Sequence, residues 1–291
     1  MVYTFAQFDP RPQGAEHNDA IFEDAETCVL GIEVTVGALA AKCSLGNLDH
    51  HGAGSTAETP SACEQALNCS LPPEKATLAT VRADADSVAA MAVLASRQEG
   101  RTINTGIAEA IGMFDRLGPS AGRPDDRVIA VGRVAADFKR PLPERTAWVQ
   151  AILEGSGDLD EVATLVQAHD AEIEEARAAS EISVEADGRI SVVVSTNRHA
   201  TQLGYEHAPV VVACNPEMPV DPRDPSQGSY KKFTICRYDS HVAVDIAGAL
   251  RELNELEEGW GGRADIGGSP QGVSSELTLE QVVEVVKRHL T

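Results

Sequence analysis

Leu48-Asp49-His50-His51-Gly52 places an acid and two imidazoles in consecutive positions after a short apolar run (Cys43, Leu45, Leu48). Carboxylate oxygen and imidazole nitrogen together suit Mn, Zn or Fe better than Ca. Where a strand ends its side-chain alternation ends too, so neighbouring residues can face one cleft. A polar turn holding two histidines is the plainer reading. A second unit is Arg82-Ala83-Asp84-Ala85-Asp86-Ser87, between the strand-like run Ala76 to Val81 and the alanine-rich, helix-like run Val88 to Leu94. Two carboxylates in Asp-x-Asp spacing can coordinate one ion or bridge two. A loop at the carboxyl end of a strand is where open α/β sheets bind ligands. As a helix cap, Asp86 or Ser87 would use just one of the three polar residues.

His17 and Asp19, two apart after the first strand, are further candidate metal ligands. Equally, Asn18 or Asp19 could cap a helix through Ala20-Ile21-Phe22, with Glu23, Asp24 and Glu26 complementing its positive end. Glu33 lies inside the apolar run Cys28 to Val36, where a carboxylate needs a partner or a role. The third unit runs from Gly259 to Gly272. Its glycines, with Arg263, Ser269 and Gln271, read as a loop that lets a ligand approach free backbone amides, or as a flexible surface loop. It is neither a Walker loop nor a G-x-G-x-x-G fingerprint. No Gly-x-Ser-x-Gly occurs, and no cysteine has an evident histidine partner.

Asp49-His50-His51-Gly52 after an apolar strand resembles the signature of the DHH phosphoesterase superfamily, whose members hydrolyse phosphodiester or pyrophosphate bonds with Mn or Mg between two domains. Arg82 to Ser87 is similar to the family's His-x-Asp-x-Asp-Ser/Gly motif, with Arg82 in the histidine's place and the segment after rather than before Asp-His-His. It can also be matched to the family's later Asp motif, with His17 and Asp19 replacing the first. Phe233 to Arg237, Val244 to Leu256 and Gly261-Gly262 through Gly272 resemble the family's accessory substrate domain (DHHA1), without its histidine after the glycines.

The resemblance implies that Asp49, His50, Asp84 and Asp86 hold Mn or Mg, with His17 and Asp19 contributing. His51 would be a general acid or a phosphate contact, with Asp49 beside it at the catalytic centre. Glu33 stands where family members carry an acidic ligand. Arg82, Arg237, Gly261, Gly262, Arg263, Gly268, Ser269 and Gln271 would grip a small phosphorylated or nucleotide substrate. A non-catalytic nucleotide- or small-ligand-binding protein on a degenerate DHH scaffold is the alternative, with the Arg82 guanidinium in the place of a cation.

These units must be positioned by two domains, the usual number for 291 residues. The expected fold is α/β: an N-terminal parallel-sheet, DHH-like domain (1–155), a helical connector (156–182) and a smaller α+β, DHHA1-like C-terminal domain (183–291). Strands are expected over Val2 to Phe8, Cys28 to Val36, Cys43 to Leu48 and Ala76 to Val81. Thr59-Pro60 reads as cap and first residue of a short helix. Thr102 to Gly118 reads as a helix with Asp115-Arg116 as a surface ion pair, Val128 to Val134 as strand or helix, and Asp158 to Ala179 as a long amphipathic helix. Asp187-Gly188 is a hairpin signal. A strand Pro209 to Cys214, a proline-rich loop through Pro219, Pro222 and Pro225, a strand Lys232 to Arg237 and a terminal helix from Leu279 follow.

The formal net charge of −21 argues against duplex nucleic acid, which is bound through clustered Lys and Arg. It is compatible with a small phosphorylated substrate, since a bound divalent ion reverses the local sign of a site. No apolar run approaches a membrane span, no secretory leader is visible at the N-terminus, and the six cysteines form no Cys-x-x-Cys pair. The expectation is a cytoplasmic protein, with homodimer or monomer left open.

Overall fold

The computed structural model describes residues 2–24, 28–51, 58–221, 224–239 and 241–291. Glu26, Gly52 and Pro222 lie outside the described residues. The chain divides into two compact units, 1–169 and 170–291, with the division falling inside one long helix.

Unit 1 is built on a four-stranded, all-parallel sheet of β1 (Thr4–Gln7), β2 (Val29–Ile32), β3 (Asn47–Leu48) and β4 (Thr77–Thr80), in spatial order β1-β4-β2-β3. Because all four run the same way, the residues after β2, β3 and β4 emerge at one edge. Helices α1 (Ala15–Asp24) and α2 (Gly37–Ala40) pair with one apolar cluster, where Phe8, Val29 and Leu39 pack with Ile21 and Phe22. The larger core gathers Leu30, Ile32 and Leu78 with α3 (Ala62–Asn68), α4 (Ala85–Gln98), α5 (Thr105–Leu117), α6 (Asp126–Ala135) and α7 (Leu142–Leu153). Every residue of α4 from Asp86 to Ser96 is buried. That is why its sequence is almost all alanine, valine, leucine and methionine: a helix enclosed on every side has no polar face. Helix α8 (Leu159–Ala178) ends this unit and begins the next.

In unit 2, a mixed six-stranded sheet comprises β5 (Glu181–Glu185), β6 (Ile190–Val194), β7 (Val210–Pro219), β8 (Ser229–Arg237), β9 (Gly261–Gly262) and β10 (Ile266–Gly268), in order β5-β6-β7-β8-β10-β9. The β6–β7 pair is parallel and the others antiparallel. Helices α10 (Ile246–Leu256) and α11 (Leu279–Arg288) cover one face through Ile235, Leu253 and Val286, and α9 (Ala200–Tyr205) lies against Val193 and Val211 on the other.

Several elements differ from expectation. The strand expected over Cys28 to Val36 stops at Ile32, because Glu33 adopts φ +52 and turns the chain. Cys43 sits in a turn with its thiol against the Leu39 carbonyl, leaving β3 two residues long. Ser61, not Thr59, caps α3 in a capping box with Glu64. Helix α1 starts at Ala15, and Asn18 instead ties its amide to both Asp9 N (2.8 Å) and Asp9 O (2.7 Å). Residues Val128 to Val134 are helical. Strand β7 continues to Pro219, where it pairs with Ser229 beyond a register shift at Asn215/Met218.

Candidate metal centre

Four segments converge at the carboxyl edge of the parallel sheet. Glu33 follows β2, His50 and His51 follow β3, Asp86 lies in the first turn of α4 after β4, and Asp115 is on the last turn of α5. One ligand-type atom each from Glu33, His50, Asp86 and Asp115 falls within 4.8 Å of the others, and Glu33, His50 and His51 form an overlapping set. Among the described residues these two groups are the ones whose geometry could hold an ion.

Local structure explains how each arrives. Asn47 works as a substitute strand partner: its Oδ1 accepts from Val34 N (3.1 Å) and its Nδ2 donates to Val34 O (3.1 Å), pinning the chain beyond the turn at Glu33. Gly31 is required opposite, since a Cβ there would collide with the Asn47 amide oxygen. Asp49 Oδ1 accepts from His51 N at 2.9 Å, which bends the chain after β3, with His50 turned inward and His51 left partly exposed beside it. Their rings lie 4.1 Å apart between centroids. Asp86 Oδ1 accepts from Ser61 Oγ (2.7 Å) and Cys63 N (3.0 Å), and its Oδ2 accepts from Ala62 N (2.8 Å).

The electrostatics are unbalanced. Glu33 is 4% exposed, His50 9% and Asp86 0%. His50 Nε2 lies 2.9 Å from Asp115 Oδ2 and 3.2 Å from Glu33 Oε1, and His51 Nε2 is 3.1 Å from the same Glu33 oxygen. Close as these contacts are, neither Glu33 Oε1 nor His50 Nε2 makes a hydrogen bond of acceptable direction. Two buried polar atoms thus face each other without a directed partner, an arrangement that native interiors avoid. Burial pushes the Glu33 carboxyl up to about 8, reinforced by the Asp86, Asp84 and Asp115 charges and opposed by His50. Asp115 first and Glu33 second push His50 upward. Burial also raises Asp86, against the pull of the Ser61 hydroxyl. Burial thus forces protons onto carboxyl groups that crowd around an imidazole, and a divalent cation binding there would take the place of those protons. The donor set, oxygen-rich with imidazole, fits Mn, Zn or Fe.

Of the residues singled out from sequence, Glu33, His50 and Asp86 enter this cluster, and His51 joins through Glu33. Asp49 lies beside it, engaged with His51 N and within 3.5 Å of Asn47 Nδ2. Asp84 is the N-cap of α4, its Oδ1 accepting from Ser87 N and Ser87 Oγ. His17 and Asp19 are on α1, with His17 Nε2 2.9 Å from Gln7 O and Asp19 paired to Lys42 at 2.7 Å. Arg82 is an exposed side chain 3.6 Å from Asp84. Asp115 is a correction: expected to pair with Arg116 on the surface, it faces His50, while Arg116 grips Glu64. Glu33 carried a signal in the sequence, a lone acid in an apolar run. Asp115 carried none, because an Asp-Arg pair on a helix end has the pattern of any solvated turn.

In unit 2 the glycine-rich segment is a hairpin rather than an open loop. Gly261 and Gly262 pair with Gly268 and Gly267, and β10 in turn pairs with β8. A Cβ on Gly268 would strike the Phe233 carbonyl oxygen and one on Gly262 the Gly267 backbone, so close packing of backbones accounts for glycine at both positions. Ser269 extends the pairing, donating N–H to Phe233 O (3.1 Å) while its Oγ accepts from Phe233 N (3.0 Å). Arg237 donates weakly to Val242 O (3.5 Å), Arg263 is 3.9 Å from Asp265, and Gln271 is exposed.

No protein-family model matches the chain, and no curated protein matches it either. Among the described residues no helix is long and apolar enough to cross a membrane.

Proposed function

We propose that this chain is a divalent-metal-dependent phosphohydrolase of DHH type, acting on a phosphodiester or phosphoanhydride of a small phosphorylated or nucleotide substrate. One observation carries the reading: Glu33 is a buried carboxylate held at positive φ, with Oε1 lacking a directed hydrogen bond and aimed at His50. A non-glycine residue in the left-handed region costs about 1–2 kcal/mol, and burying a carboxyl whose two imidazole neighbours, at 3.1 and 3.2 Å, give it no directed hydrogen bond adds to that cost. Such a combination persists where function requires it. Its position at the carboxyl edge of a parallel sheet is where ligands of open α/β folds bind.

Glu33, His50 and Asp115 would hold Mn or Mg, with Asp86 at the inner wall. A divalent ion supplies an activated water and screens phosphoryl oxygens. His51, with its ring partly exposed beside Glu33, is placed to hold or deliver a proton to a leaving oxygen. Arg82, whose side chain is largely exposed at the end of β4, is available to an anionic substrate. Asp84 and Asp49 serve the local turns.

The test is metal content of protein purified without chelator, followed by Mn addition and assay on phosphodiesters and pyrophosphate. One or two equivalents of ion and Mn-dependent turnover are expected, both lost in Glu33→Gln and His50→Gln. A wild-type chain that neither contains nor takes up Mn refutes the reading and points to a purely structural ion-pair cluster, as in a ligand-binding protein on the same scaffold.

A further inference from the structure

Asp86 and Asp115 enter the cluster from different helices, α4 and α5, which are separate in sequence. The first turn of α3 touches both supports. Ser61, fully buried, donates its hydroxyl to Asp86 Oδ1 at 2.7 Å. Ser61 N donates to Glu64 Oε2 at 2.8 Å, closing the capping box. The same Glu64 carboxylate receives Arg116 in a two-point grip, Nε to Oε2 at 2.7 Å and Nη2 to Oε1 at 2.9 Å, with both side chains mostly buried. Arg116 follows Asp115 directly, and successive helical side chains point about 100° apart. Fixing Arg116 on α3 therefore fixes the direction in which Asp115 leaves the helix, toward His50 at 2.9 Å.

Gly112, one turn before Arg116, belongs to the same contact. A Cβ there would collide with Ser61 Oγ and come within 2.6 Å of Glu64 Cγ. Absence of a side chain lets α5 approach the capping box closely enough for the two-point grip. Gly112 and Arg116 face α3, while Asp115 continues the adjoining strip that begins at buried Ile111. The chain of contacts runs Asp86, Ser61, Glu64, Arg116, and closes on Asp115.

We infer that Arg116 is a positioning residue for the metal centre, and that the Ser61–Glu64 capping box is a brace setting the separation of Asp86 and Asp115. The inference rests on the metal reading proposed above and extends it to residues that touch no ion. It makes a prediction opposite in sign to simple electrostatics. Arg116 is a cation near a cation site, so deleting its charge should by Coulomb's law tighten ion binding; as a positioning residue, deleting it should weaken binding, since partners that orient ligands are worth roughly 10–100-fold in metal affinity.

Mn titration of the full chain distinguishes the two. For Arg116→Met, Mn affinity should fall by about tenfold or more, and Arg116→Lys, which keeps the charge but not the two-point grip, should fall between Met and wild type. In an Asp115→Asn background, which retains an oxygen donor, adding Arg116→Met should have little further effect, because the grip acts through Asp115. Unchanged or tighter Mn binding in Arg116→Met overturns the brace, as does an equal loss in both backgrounds, which would mark general loosening of α5. A wild-type chain that binds no Mn overturns the metal reading and the brace together, so the two failures are told apart.

Discussion

Replacing Glu33 by Gln should make the ion-free protein more stable while destroying its use. Each pH unit between the ordinary 4.5 of a glutamate and the raised folded value of about 8 represents about 1.4 kcal/mol. At pH 7 folding forces a proton onto Glu33 that the unfolded chain has lost, and this withholds about 3 kcal/mol from the folded state. The amide loses some of this through weaker attraction to His50, which retains Asp115 at 2.9 Å, so a net gain of about 1–2 kcal/mol is expected. For a unit of 169 residues that corresponds to roughly 2–8 °C in Tm. The sign with pH is fixed. A carboxyl whose folded pKa is raised costs nothing below its ordinary value, and its cost grows until pH passes the folded value, here about 8. Thermal unfolding in chelator at pH 7 should put Glu33→Gln above wild type, and at pH 4.5 the two should converge. Added Mn should raise the wild-type Tm alone. A Glu33→Gln protein that melts below wild type at pH 7 would refute the reasoning, because the carboxylate would then be a structural counterion that His50 and His51 require.

Two more substitutions probe supports rather than ligands. Ser61→Ala removes the cap of α3 and a donor to fully buried Asp86, and should cost about 2–3 kcal/mol in chemical denaturation of unit 1; a loss under about 0.5 kcal/mol would mean that the Cys63 and Ala62 amides suffice for Asp86. Gly268→Ala places a methyl group against the Phe233 carbonyl and should cost about 1–3 kcal/mol in unit 2 while leaving Mn binding intact, since the cluster lies in unit 1; unchanged stability would show that the glycine-rich hairpin is not packed as described.

Much of the scaffold was legible from periodicity and punctuation. The apolar runs before Pro10, Glu33 and Arg82 became β1, β2 and β4, and Asp187-Gly188 marked the β5–β6 turn, where Ala186, Asp187 and Gly188 all have positive φ. The glycine-rich hairpin was hidden because strand alternation is written in side chains, which glycines lack. Within the cluster, His50 and Asp86 stood out because acid and imidazole near strand ends are sparse in sequence. Asp84 and Asp86, both expected as ligands, part company, and the cap expected of Asp86 or Ser87 falls to Asp84. The Asp-x-x-Ser spacing of a capping box belongs to Asp84 and Ser87, and that assignment frees Asp86 to turn inward. Asp115 depends on how α5 lies across α3, a tertiary fact with no local pattern.

The sheet of unit 2 also bears on how this protein meets copies of itself. Its two outer strands are β5 and β9. Strand β9 is two glycines long, too short to template the pairing of another chain. Strand β5 reads Glu-Ile-Ser-Val-Glu, so antiparallel docking of two copies about Ser183 would set Glu181 against Glu185 twice over. Like charges directly opposite repel. A chain carrying a net charge of −21 thus guards one outer strand by brevity and the other by like charge at both ends, the Glu185 end being held as well by Lys287 at 3.3 Å.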